Sequence, residues 1–117
     1  MVTPVFSDDG SEILFWAASR GHHADVGGSA PGSMTPLATT VDEEGVLIDN
    51  FQLVSGGRLL EAETEKLFTT APYPTRNFRH NLADLKAHIA GNEKGVQELR
   101  KMIEHFGLDV VHAYMKH

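Results

Sequence analysis

The chain has 117 residues, 41% hydrophobic and 22% charged, which suits one modest folded domain and argues against wholesale disorder. Its formal net charge of −6, from 10 Lys and Arg against 16 Asp and Glu, gives no reason to expect nucleic acid or an anionic membrane as a partner. With no cysteine, disulfides, thiolate metal sites and a cysteine nucleophile are excluded.

The first residues, "MVTPVFSDDG", carry no basic region and no long apolar run, so no signal peptide is expected. The longest apolar run, "ILFWAA", is too short to span a bilayer, and a cytoplasmic location is expected. "VTPVF" (Val2 to Phe6) and "EILFWAAS" (Glu12 to Ser19) flank "SDDGS", whose Asp9-Gly10 pair is a hairpin turn signal. The second run is apolar at consecutive positions, which predicts a strand covered on both faces. Residues 19–37 hold Gly21, Gly27, Gly28, Gly32, Pro31 and Pro36, so no regular structure is expected there. "GVLIDNFQLV" (Gly45 to Val54) predicts a further strand or bent pair, ended by the turn "SGGR". "LLEAETEKLFTT" (Leu59 to Thr70) predicts a short acidic helix, broken by the two prolines of "APYPTRN".

The last third carries the clearest pattern. Leu82, Leu85, Ile89, Val96, Leu99, Ile103 and Phe106 recur at helical spacings and lie along one face of a helix from about residue 79 to 106. Gly91 and Gly95 each weaken it by about 1 kcal/mol relative to alanine. Asn92 also falls on the apolar stripe, so a kink near 91–95 is the alternative. Gly107 predicts the stop, with Leu108 packing back, and "LDVVHAYMKH" predicts a further helix capped by Asp109. The fold class expected is α+β. Residues 1–60 are mostly antiparallel β and glycine-rich loop, and residues 61–117 are mostly helical, within one partial domain spanning 1–117. A helix about 40 Å long exceeds what a compact chain of this size needs. Its stripe is therefore expected to lack neighbours, and the chain to be a piece of something larger that exposes this face or pairs through it as a homo-oligomer.

The chemistry concentrates in "SRGHHADVGGSAPGSM" (Ser19 to Met34), with two adjacent histidines, an aspartate and four glycines. Neutral imidazole suits Zn, Mn, Fe, Co or Ni, and a carboxylate shifts preference toward Mn or Mg. His22 and His23 point to opposite sides of an extended chain, so one can ligate while the other packs. A catalytic ion usually takes about three protein ligands, and satisfied structural histidines are the commoner meaning of such a pair. Successive N–H groups of Gly27, Gly28 and Ser29 could form an anion-binding nest for substrate, against the plainer reading of an irregular loop. The spacing is neither a P-loop nor a nucleophile elbow. Asp42, Glu43 and Glu44 offer a carboxylate base or a solvated acidic turn. Arg76, Arg79, His80, Lys86 and His88 offer a basic face for an anionic substrate or a solvated helix face.

Three stretches, "FWAASRGHHADVGGSAPGSM", "EEGVLIDNFQLV" and "APYPTRNFRHNLADLKAHIAGNEKGVQELRKMIEHFGLDVVHAYM", together resemble the hydantoinase B/5-oxoprolinase family. That family includes acetone and acetophenone carboxylase subunits, and the third stretch is most similar to 5-oxoprolinase. The resemblance implies an internal segment of a much longer hydrolase that opens 5-oxo-L-proline to L-glutamate in glutathione metabolism. It implies ATP bound by a hydantoinase A-type half or subunit, which would be the partner of this part. It also implies a divalent metal (Mn, Zn or Mg) for which His22 is the candidate ligand, with His23 and Asp25 at its edge and an upstream His-x-x-Asp motif completing the set. The chain alone is expected to be inactive. The rivals are a hydantoinase B or ketone carboxylase subunit, and a non-catalytic interaction module.

Overall fold

An antiparallel hairpin opens the chain. Strand β1 (Val2–Phe6) pairs with β2 (Ile13–Ala18), with Val5 opposite Phe15 and a bulge between Val5 and Phe6. The turn is tied by Asp9, whose Oδ1 accepts the Ser7 hydroxyl at 2.7 Å and the Ser11 hydroxyl at 2.8 Å. The computed structural model describes all 117 residues, in two compact units. Met1–Arg20 and Lys86–His117 form one, and Gly21–Leu85 forms the other.

In the first unit, Val5 and Phe15 make a buried core with Val96 and Val111, flanked by Leu14, Ala17, Leu99, Ile103 and Leu108. Within these 117 residues the second strand is not covered on both faces. Phe15 is buried while Trp16 is 62% exposed. Only two strands pair, and the adjacent side chains of Phe15 and Trp16 point to opposite sides, so Phe15 enters the core and Trp16 meets solvent.

Helix α1 (Val41–Glu44) is a single turn, α2 runs Glu61–Thr69, and α3 is one helix of 29 residues from Phe78 to Phe106, about 43 Å long. No break occurs at Gly91 or Gly95. A Cβ at either would meet nothing within 4 Å, so neither glycine is required by packing. Asn92, buried on the stripe, donates its amide to the Thr3 hydroxyl at 2.9 Å, which accounts for a polar residue there. The Gly107 N–H closes α3 on the Ile103 carbonyl at 2.8 Å, and α4 (Leu108–Met115) follows. The α4 N-cap is Gly107 rather than Asp109, which lies in the first helical turn, where its charge complements the helix dipole. The stripe of α3 does not lack neighbours. Val96, Leu99 and Ile103 pack in the first unit, Leu82 is buried in the second, and of the stripe Phe106 is exposed.

In the second unit, Gly45 to Val54 forms no strand apart from its last residue. The Val46 N–H bonds the Val26 carbonyl at 2.9 Å, but no ladder follows, and Leu47 and Ile48 are exposed. Instead β3 (Val54–Ser55) turns into β4 (Arg58–Leu59) through Gly56 and Gly57, both at positive φ as a two-residue hairpin demands. Helix α2 buries Thr64 and Phe68, and the Phe68 ring meets Phe78 at a centroid distance of 5.9 Å. Asn77 starts α3, its side-chain oxygen accepting the His80 N–H at 3.3 Å.

Candidate functional site

The histidine-glycine loop belongs to the second unit, and the residues that hold it come from far along the chain. His22 is exposed. His23 is half-buried, its ring meeting Phe68 edge-on at 6.4 Å, and its Nδ1 lies 2.9 Å from Asp84 Oδ2. The two histidines thus face different surroundings, as adjacent residues of an extended segment should.

Asp25 is committed to protein partners. Its carboxylate accepts the Gly27 N–H at 2.8 Å and the Gly32 N–H at 3.0 Å, and it pairs with Arg76 at 3.1 Å. The Arg76 guanidinium also donates to the carbonyls of Gly27 at 3.0 Å and Gly28 at 2.8 Å. Asn81, 2% exposed, accepts the Thr75 hydroxyl and donates to the Asp25 carbonyl at 2.7 Å. The segment from Tyr73 to Asp84 therefore fastens the loop at several points.

The glycine backbone is packed tightly. Gly27 has φ +94°, and a Cβ there would lie 2.1 Å from the Tyr73 carbonyl oxygen; one on Gly28 would lie 2.8 Å from that of Glu43. The N–H groups of Gly27, Gly28 and Ser29 donate to Asp25, Tyr73 and Glu43 respectively. As the loop stands these donors are engaged, so a nest for substrate would require exchanging those bonds.

The remaining candidates disperse. Glu43 accepts the N–H groups of Thr39 at 2.6 Å and Thr40 at 3.2 Å, a local cap that holds its carboxyl below its ordinary value. Arg76 is engaged by Asp25, Arg79 and His80 are exposed, and His88 belongs to the first unit, its Nδ1 2.8 Å from the Ser19 hydroxyl. Asn81 and Asp84 were not singled out by the sequence. Their three-residue spacing at a helix start was the available signal, but it does not specify a partner.

No three histidine, aspartate or glutamate side chains come together in a way that could hold a metal ion. His22 and the Nε2 of His23 are donors of a suitable chemical type, but Asp25 is occupied, and the set does not close within this chain. The carboxylate of Asp25 is shifted downward. Burial opposes its ionisation, and the N–H groups of Gly32 and Gly27 together with Arg76 more than offset this. A lowered folded-state pKa means that ionised Asp25 stabilises the unit above the ordinary carboxylate range near 3.9, and that this contribution disappears as the pH falls through the folded value. Urea unfolding between about pH 7 and pH 2 should show stability falling on the acid side, with a shallower slope in Asp25→Asn. An unchanged slope in that variant would contradict the assignment.

Across residues 1–117 the chain matches the family model described as hydantoinase B/oxoprolinase. It is 47% identical over its whole length to a 5-oxoprolinase from Dictyostelium discoideum, and 43% identical to 5-oxoprolinase 1 from Arabidopsis thaliana. It is 29% identical over 97% of its length to the caprolactamase subunit beta of Pseudomonas jessenii. The chain spans 9% and 10% of the two 5-oxoprolinases and 18% of the caprolactamase subunit. No solved structure matches. The chain belongs to the hydantoinase B/oxoprolinase family. Its likeness within that family runs to a short stretch of much longer proteins named 5-oxoprolinase.

Proposed function

We propose that this chain is a segment of an ATP-dependent 5-oxoprolinase, a cytoplasmic hydrolase of glutathione metabolism that opens the ring amide of 5-oxo-L-proline to give L-glutamate. The observation that carries the reading is the 47% identity over the entire chain to a protein of that name. A ring amide resists hydrolysis, and phosphorylating its oxygen converts a poor electrophile into a reactive one. The ATP-binding work is assigned to a hydantoinase A-type half or subunit, as the resemblance to the hydantoinase B/5-oxoprolinase family implies. His22 is proposed as one ligand of a divalent ion (Mn, Zn or Mg) whose remaining ligands come from elsewhere in the protein. Gly27, Gly28 and Ser29 are proposed to lie at the edge of the substrate cleft. No helix is long and apolar enough to cross a membrane.

A second reading places the segment in a subunit of another cyclic-amide hydrolase, and the likeness to a caprolactamase subunit beta favours it. Coupled assays of the full-length protein separate the two. ATP-dependent glutamate release from 5-oxoproline is expected, and activity on caprolactam or a hydantoin alone would select the second reading. His22→Ala should abolish turnover and lower metal content, since one of about three protein ligands is lost. Full activity in that variant would leave His22 without a ligand role. The 117-residue chain by itself should show no turnover.

A further inference from the structure

We infer that Asp84 is a positioning residue that sets the tautomer and orientation of His23, so that Nδ1 carries the ring proton and Nε2 the lone pair. The inference concerns the candidate site of the proposed hydrolase, but the tautomer is measurable whatever reaction the protein catalyses.

His23 has two polar neighbours within the unit, with opposite demands. Asp84 Oδ2 lies 2.9 Å from Nδ1, and an ionised carboxylate can only accept, so this contact requires a hydrogen on Nδ1. The Asn81 amide nitrogen lies 3.5 Å from the same Nδ1, and as a donor it would require the lone pair there. Distance decides between them. The Asn81 amide already donates to the Asp25 carbonyl at 2.7 Å, and the charge-assisted bond to Asp84 is the shorter of the two at His23.

The setting makes this bond orienting and not incidental. The His23 side chain is 17% exposed, and one side of the ring meets the buried Phe68. Asn81 and Asp84 project from adjacent turns of α3, so the helix presents a backbone anchor for Asp25 and a side-chain anchor for His23 on one face. With Nδ1 held, Nε2 remains as the acceptor of the ring. A carboxylate behind an imidazole is the arrangement that leaves the far nitrogen able to accept a proton or to coordinate. Asp84 itself is half-exposed on the helix surface, so its replacement should leave the fold intact.

The test is 15N-histidine NMR of the 117-residue chain, which distinguishes the two neutral tautomers of an imidazole. The His23 signals are assigned by their loss in His23→Gln. Wild type should carry the proton on Nδ1. In Asp84→Ala the remaining neighbour is the Asn81 donor, so the proton should move to Nε2. Asp84→Lys, which places only donors opposite the ring and keeps helix propensity, should do the same. A wild-type proton on Nε2 overturns the inference, and so does a proton that stays on Nδ1 in both variants. In the full-length protein, Asp84→Ala should lower kcat more than it raises KM. If the wild-type protein lacks 5-oxoprolinase activity, the functional reading fails while the NMR result still decides the role of Asp84.

Discussion

Gly27→Ala should destabilise the second unit by about 3 kcal/mol or more, a large part of the roughly 5–15 kcal/mol that holds a domain together. Two costs combine. At φ +94° an L-residue is strained, and its Cβ would sit 2.1 Å from the Tyr73 carbonyl oxygen, which is backbone and cannot swing aside. The Gly28 N–H bond to that same carbonyl, at 3.2 Å, would be lost as the strands of the loop part. Gly91→Ala supplies the contrast. It lies in α3 with open space around it, so alanine should stabilise by about 1 kcal/mol through helix propensity. Urea denaturation of the three proteins gives both numbers. A cost below about 1 kcal/mol at Gly27 would mean that the loop is not packed as described.

Phe68→Ala should cost about 3–5 kcal/mol, the range for removing a fully buried aromatic ring. Phe68 is 1% exposed and joins Phe78, at the start of α3, to His23 in the loop. Its loss removes the apolar wall against which His23 is oriented, so the effect should extend to the His23 ring. Trp16→Ala is the informative control. Trp16 is larger but 62% exposed on the outer face of the hairpin, and in this chain its removal should change stability by no more than about 0.5 kcal/mol. Equal costs at the two positions would show that the outer face of the hairpin is covered in solution.

The local elements were legible because their causes are local. Val2 to Phe6 and the run after Asp9-Gly10 form the expected hairpin, since a turn signal between two apolar runs brings neighbours in sequence into register. The helix over 78–106 follows from a stripe repeating every three or four residues, and its two glycines were too weak to interrupt it once Val96, Leu99 and Ile103 had packed. The strand expected in Gly45 to Val54 failed for the complementary reason. Apolar residues favour a strand only where a partner offers a ladder, and here only Val54 finds one.

By itself the sequence determined the three longer helices, the first hairpin, the glycine stop at 107 and a likeness to the hydantoinase B/oxoprolinase family. What each polar residue of the histidine-glycine loop does was decided only in three dimensions. Asp25 suggested a metal ligand from its place two residues after His23, yet its carboxylate is taken by Arg76, 51 positions away. The Asp25 carbonyl is taken by Asn81, 56 positions away, and His23 is held by Asp84, 61 positions away. Periodicity and capping report on residues within one or two helical turns, whereas these bonds depend on where α3 begins in space after the Pro72–Asn77 break. A carboxylate's chemistry is set by the donors that reach it, and those donors became visible only when the chain was folded.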